Sequence, residues 1–151
     1  MPKIDVTDEA IIDSPPLVVY NAILAEFSGI THWWMPYLGF KLRGDAPVDH
    51  EGAVFDLTVF PKSRIMQSKI SVKVNKIVEA KSIELDFSGD FLGTEKYTFE
   101  PTNEGKTKLQ IHLDAKTNRL ALSLFSPFIG KGHSGNMQKG FKACSSYLCK
   151  K

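Results

Sequence analysis

Glu95 is the residue in this sequence best placed to do chemistry. In the run Phe91-Leu92-Gly93-Thr94-Glu95-Lys96-Tyr97-Thr98-Phe99, two-residue alternation puts Glu95 on the same side as Phe91, Tyr97 and Phe99. A carboxylate turned toward apolar surroundings needs a partner, whether protein, water or ligand. It is therefore a candidate ligand anchor or general acid/base, since desolvation and neighbours tune such a group toward proton transfer. The competing readings are pairing with a nearby Lys or Arg, or a bulge that reverses the alternation. Asp8 shares a side with Ile4, Val6, Ala10 and Ile12 by the same argument, but its nearness to the chain end favours solvation.

The four histidines, at 32, 50, 112 and 133, show no three- or four-residue spacing that would set two metal ligands on one helix face. No metal or other cofactor is expected. His112 alternates with Ile111 and Leu113 and so belongs to a wet strand face, with Gln110 and Asp114. His50 lies in the charged turn Asp49-His50-Glu51, and His133 marks the beginning of a helix, so both read as solvated. His32 remains as a site candidate because it adjoins Trp33 and Trp34. Those two rings and Tyr37 could stack a planar ligand, although aromatics that pack a helix are the commoner case. Arg43 and Arg64 fall in polar or turn positions.

Gly130-Lys131-Gly132-His133-Ser134-Gly135 satisfies G-x-G-x-x-G, which binds dinucleotide phosphates where it joins a strand to a helix. Here Ser126-Pro127 makes a poor central strand, and the chain gives no room for the acidic ribose partner. A flexible joint leading into the last helix is expected instead. Apolar residues at 120, 122, 124, 125, 128 and 129 would offer lid-like cover beside it. Cys144 and Cys149 lie five apart on one expected helix, about 7.5 Å along its axis, beyond disulfide reach. Two free thiols suit a reducing cytoplasm.

These residues need elements to hold them. A chain of 151 residues has room for one domain spanning 1–151, able to hide roughly 70% of its extended surface. Its 16 aromatic rings suffice for a large core or a lined cavity. A net charge of +2 is too weak to imply nucleic acid, and no apolar run approaches the roughly 18 residues that span a bilayer. Residues 1–6 do not read as a secretory signal.

Residues 4–12 suit a first strand. Asp13-Ser14-Pro15-Pro16 supplies an N-cap candidate and first-turn prolines, after which Val19, Ile23 and Phe27 recur at helical spacing up to Ser28-Gly29. Residues 30–37 suit one irregular helical turn. Then Phe55, Leu57 and Val59, next Ile70, Val72 and Val74, next Ile83, Leu85 and Phe87, and finally Leu109, Ile111 and Leu113 alternate with polar residues. Gly89-Asp90 and Asn103-Glu104-Gly105 provide turns, and an antiparallel meander of about six strands results. From His133, the spacing of Met137, Phe141, Cys144 and Leu148 gives an amphipathic C-terminal helix. Only two substantial helices exist to cover one apolar sheet face, so an α+β fold with the sheet curled around the last helix is expected. A curved sheet cannot meet a straight helix along its whole length, which leaves space for large side chains or a cavity.

In order and spacing these pieces resemble the START-like, Bet v 1-like (SRPBCC) superfamily, which includes polyketide cyclase/dehydrase-type and lipid-transfer proteins. The matching segments are Ile12-Asp13-Ser14-Pro15-Pro16 leading into Val18-Val19-Tyr20-Asn21-Ala22-Ile23, then Trp33-Trp34-Met35-Pro36 and Gly52. Gly89-Asp90 with Gly93, Tyr97-Thr98-Phe99-Glu100-Pro101, Gly105-Lys106-Thr107 and Met137 follow. The resemblance implies a helix-grip fold, with about seven antiparallel strands gripping the last helix around a tunnel for a lipid-, steroid- or polyketide-like molecule. It implies no shared catalytic residues.

The expected function is binding or transport of a small hydrophobic molecule in a cavity of about 300 to 1,000 Å³. Its expected contacts are His32, Trp33, Trp34, Tyr37, Phe55, Phe87, Glu95, Tyr97, Met137 and Phe141, with Glu95, Tyr97 and His32 orienting the polar end. One alternative is a cyclase/dehydrase-like enzyme using Glu95, which needs a second positioned polar group. The other is a protein-interaction module with a filled core and an exposed apolar patch.

Overall fold

The computed structural model describes the backbone of residues 3–65, 67–117 and 126–150, and the side chains of all of these except 126–130. Strand β1 (Lys3–Ile12) leads into helix α1 (Pro16–Phe27). Six further strands follow: β2 (Leu38–Arg43), β3 (Val54–Val59), β4 (Ser68–Val78), β5 (Ser82–Gly89), β6 (Phe91–Pro101) and β7 (Thr107–Thr117). The chain then forms helix α2 (Ser126–Cys149). The strands make one antiparallel sheet in the order β1-β7-β6-β5-β4-β3-β2. The curved sheet wraps α2, which packs chiefly against β1, while α1 rests on β6 and β2.

Alternation places the predicted residues inside: Phe55, Ile70, Val72, Ile83, Leu85, Leu109 and Ile111 are all buried. Val19, Ile23 and Phe27 face the core from α1. Phe27 sits at its centre, stacked on Phe55 at 4.9 Å and edge-on to Tyr97 at 5.2 Å between ring centroids. Burying such a ring is worth about 2–3 kcal/mol.

Two local expectations are corrected, and one strand irregularity is added. The N-cap of α1 is Pro15, with Pro16 in the first turn, and no side chain caps the helix; Ser14 Oγ turns to the Asp13 carbonyl instead. Register shifts between Val74 and Lys76, so that Ile77, rather than the next even-numbered residue, sits opposite the buried Ile83. And α2 begins at Ser126, seven residues before His133, so the Gly-rich motif lies within the helix. A proline is tolerated in the first helical turn, where its missing N–H costs nothing. Of the expected lid, residues 120, 122, 124 and 125 and the side chains of 128 and 129 lie outside the described residues. Among the described residues, no helix is long and apolar enough to cross a membrane.

Candidate functional site

Between the sheet and α2 lies a cavity of about 140 Å³. Its walls are mainly apolar, with the rings of Phe27, Phe40, Phe55, Phe60, Phe87, Phe91 and Tyr97 set among aliphatic side chains, and Met137 closes it from α2. The space is smaller than the 300–1,000 Å³ expected, because the large inward side chains fill most of the hollow. A dry cavity of about 150 Å³ still accommodates a benzene ring.

One wall is polar. Pairing across β5, β6 and β7 is regular around Glu95, which stands opposite Leu85 on one side and Leu113 on the other. With no bulge to reverse it, Glu95 faces the interior and is 4% exposed. Asp8 on β1 lies opposite Ile111, and regular alternation turns it to the same side, 8% exposed. Between the two carboxylates stands His133 of α2. Its Nε2 is 3.1 Å from Glu95 Oε2, and its Nδ1 is 3.5 Å from Asp8 Oδ2. The longer approach is an ion-pair contact rather than an aligned hydrogen bond. Ser134 Oγ donates to the same Asp8 oxygen at 3.1 Å.

Burial by itself would push the His133 imidazole down, but Asp8 and Glu95 outweigh it and raise the pKa to about 9. His133 is thus an imidazolium at neutral pH. Asp8 is raised by its burial, yet His133 and Ser134 more than offset this and hold it below its ordinary range. Tyr97 is held far above the ordinary phenol range, first by burial and then by the adjacent Glu95 carboxylate. The wall therefore presents a neutral phenol, a carboxylate and a charged imidazole to one apolar space.

His133 is the main correction to the solvated reading, since its side chain is only 15% exposed. The signal was present: it lies four residues before Met137 and so extends the Met137-Phe141-Cys144 seam backward by one turn.

Of the ten expected ligand contacts, Phe55, Phe87, Glu95, Tyr97 and Met137 line the cavity together. The others are elsewhere. His32 is exposed and borders an open groove on the outer face of β2–β4. Trp33 stacks on Trp34 at 5.1 Å, and Trp34 is buried with its Nε1 donating to the Asn136 carbonyl at 3.1 Å. Lys139 Nζ sits 4.3 Å over the Tyr37 ring. Phe141 is a core residue outside the cavity wall. Trp34 and Tyr37 thus meet α2, at Asn136 and Lys139, rather than the cavity.

Arg43 pairs with Asp56, and His112 and His50 pair with Asp5 and Asp49, all at exposed positions. Glu26 is a buried carboxylate the alternation and motif arguments missed, although it lies three residues after Ile23 and seven after Val19 on one helix face. It accepts hydrogen bonds from Thr31 Oγ1 and the backbone N–H groups of Trp33 and Trp34 at 2.8–3.0 Å. Burial raises its pKa despite those bonds. Its task is to shape residues 31–34. Among the described residues, no cluster of three or more His, Cys, Asp or Glu side chains has metal-binding geometry.

No family model matches the sequence, and no curated protein matches it by sequence. Solved structures do match over nearly the whole chain. A START superfamily protein from Mycobacterium smegmatis superposes with a TM-score of 0.74 at 14% identity, covering 97% of each chain. Norcoclaurine synthase from Thalictrum flavum gives 0.69 at 11% identity, over 99% of this chain and 88% of the other. Ara h 8.0201 gives 0.66 at 16% identity, over 99% of this chain and 100% of the other. The likeness is one of architecture: the chain has the helix-grip fold of the START-like and Bet v 1-like (SRPBCC) proteins.

Proposed function

We propose that this protein binds a small hydrophobic molecule, about the size of one ring, in the cavity between its sheet and α2. The observation that carries this reading is an unfilled, largely apolar space with the buried Glu95–His133 pair in its wall. Apolar burial supplies affinity, and the polar wall orients the ligand. Unfilled space also weighs against an interaction module built on a solid core. The free thiols Cys144 and Cys149 favour a reducing, cytoplasmic setting for this role.

Native mass spectrometry of the purified protein, followed by a thermal-shift screen of single-ring compounds, tests the proposal. A ligand at 100 times its Kd raises stability by about 2.7 kcal/mol. Copurification or a saturable shift is expected. A protein that carries nothing and is stabilised by no compound at millimolar concentration overturns it.

A second reading, catalysis, is favoured by one specific observation: Glu95 has a second polar group, His133, within 3.1 Å. Together with Tyr97 this gives a proton acceptor and two donors on one apolar space. The norcoclaurine synthase among the similar structures is by name an enzyme, so the fold is compatible with chemistry. Full turnover by Glu95→Gln on a molecule found by the screen would end the acid/base role, whereas loss of binding alone favours a carrier.

A further inference from the structure

We propose that the molecule taken into the cavity is a cation: a single-ring primary arylalkylamine whose ammonium group docks on Glu95 and whose ring lies against the aromatic walls. This rests on the binding function proposed above and narrows it to one ligand class.

The first argument is charge. Asp8 and Glu95 flank a single histidine, and both ring nitrogens of His133 face a carboxylate, at 3.5 and 3.1 Å. Two acidic side chains thus share one basic group, so the cluster holds more acid than base in a buried place. Asp8 also receives the Ser134 hydroxyl and Glu95 the Tyr97 hydroxyl, both neutral donors, and of the two carboxylates it is Glu95 that borders the cavity. Tyr97 beside it is neutral. Among the described residues lining the cavity, Glu95 and His133 are the only charged side chains, and no Lys or Arg is present. The nearest lysines along these elements, Lys96, Lys116 and Lys131, are exposed. Under-compensated charge in an apolar interior is unfavourable until a partner arrives.

The second argument is independent of the carboxylates. Seven aromatic rings, those of Phe27, Phe40, Phe55, Phe60, Phe87, Phe91 and Tyr97, border the space. The face of each ring attracts a desolvated cation and disfavours an anion. A cavity of about 140 Å³ limits the guest to about one ring with a short polar arm.

The test is isothermal titration of the full chain at pH 7 with four probes of similar size: benzylamine, benzyl alcohol, toluene and benzoate. Benzylamine is expected to bind at least tenfold more tightly than benzyl alcohol or toluene, with benzoate weakest. Glu95→Gln should remove the preference for the amine, so that benzylamine no longer binds more tightly than toluene to that variant. Asp8→Asn, which removes the same excess charge from behind His133, should also weaken benzylamine, and it serves where the Glu95 variant does not fold. Equal or tighter binding of toluene, benzyl alcohol or benzoate by the unaltered protein overturns the cation assignment and leaves the hydrophobic-binding function standing. Failure of all four probes to bind removes both.

Discussion

Gly140 of α2 faces the Trp34 indole so closely that a methyl group on Gly140 would occupy the space of the ring. One turn earlier on the same helix, the Asn136 carbonyl accepts the indole N–H at 3.1 Å and fixes the ring plane. Glycine is therefore present here for close packing. In Gly140→Ala, the gain of about 1 kcal/mol in helix propensity is opposed by overpacking of about 1–3 kcal/mol. The expected result is a lower urea midpoint together with a changed near-ultraviolet tryptophan signal. A variant more stable than the parent would show that the contact does not constrain the helix.

The two cysteines of α2 should differ sharply in reactivity. Burial, with Glu26 adding to it, pushes the Cys144 thiol up to about 12, while Cys149 is exposed. The thiolate is the reactive form, so iodoacetamide at pH 8 should modify Cys149 alone in the native protein. Cys144 should react only after denaturant is added. Mass spectrometry of the labelled peptides checks this, and early modification of Cys144 would contradict its packing.

Strand alternation made most of the sheet legible, because side chains on a half-buried strand must alternate between core and water. It put Phe55, Phe87, Glu95 and Tyr97 on the inner face. The bulge at Asn75 escaped because it carries no distinctive residue and is visible only in the pairing of Ile77 with Ile83. His133 was lost for a different reason: four glycines at 130, 132, 135 and 140 argue locally against helix, while packing against β1 carries the helix through them. The positions of Trp33 and Trp34 depend on contact with residues over a hundred positions later, which local spacing does not encode.

His133→Gln tests the buried charge cluster. Removing one partner from a buried ion pair costs about 3–5 kcal/mol, and here it would leave Asp8 and Glu95 without their shared cation. Glutamine can still donate one hydrogen bond, so a loss near the lower end, about 3 kcal/mol, is expected at pH 7. Lowering the pH to about 5 should shrink the deficit, because unpaired buried carboxylates take up protons readily. Urea denaturation at both pH values measures it. A deficit below about 0.5 kcal/mol at pH 7 would mean the cluster contributes as little as a surface pair.

The pH profile of the unaltered protein follows from the same cluster. His133 has its pKa raised from 6.5 to about 9 on folding, so its stabilisation is complete below about 6.5 and disappears as pH rises through 9. A change of that size is worth about 3 kcal/mol. Asp8 works in the opposite direction: its pKa is lowered, so its contribution is present above the ordinary carboxylate range and is lost as pH falls through the depressed value. Stability should therefore decline between pH 6.5 and 9, and this alkaline decline should be missing from His133→Gln. The exposed pairs of His50 and His112 are common to both proteins and cancel in the comparison. The difference in unfolding free energy between the two should thus peak near neutrality and narrow on either side. Parallel profiles from pH 6.5 to 9 would show that the imidazole between Asp8 and Glu95 carries no charge to lose.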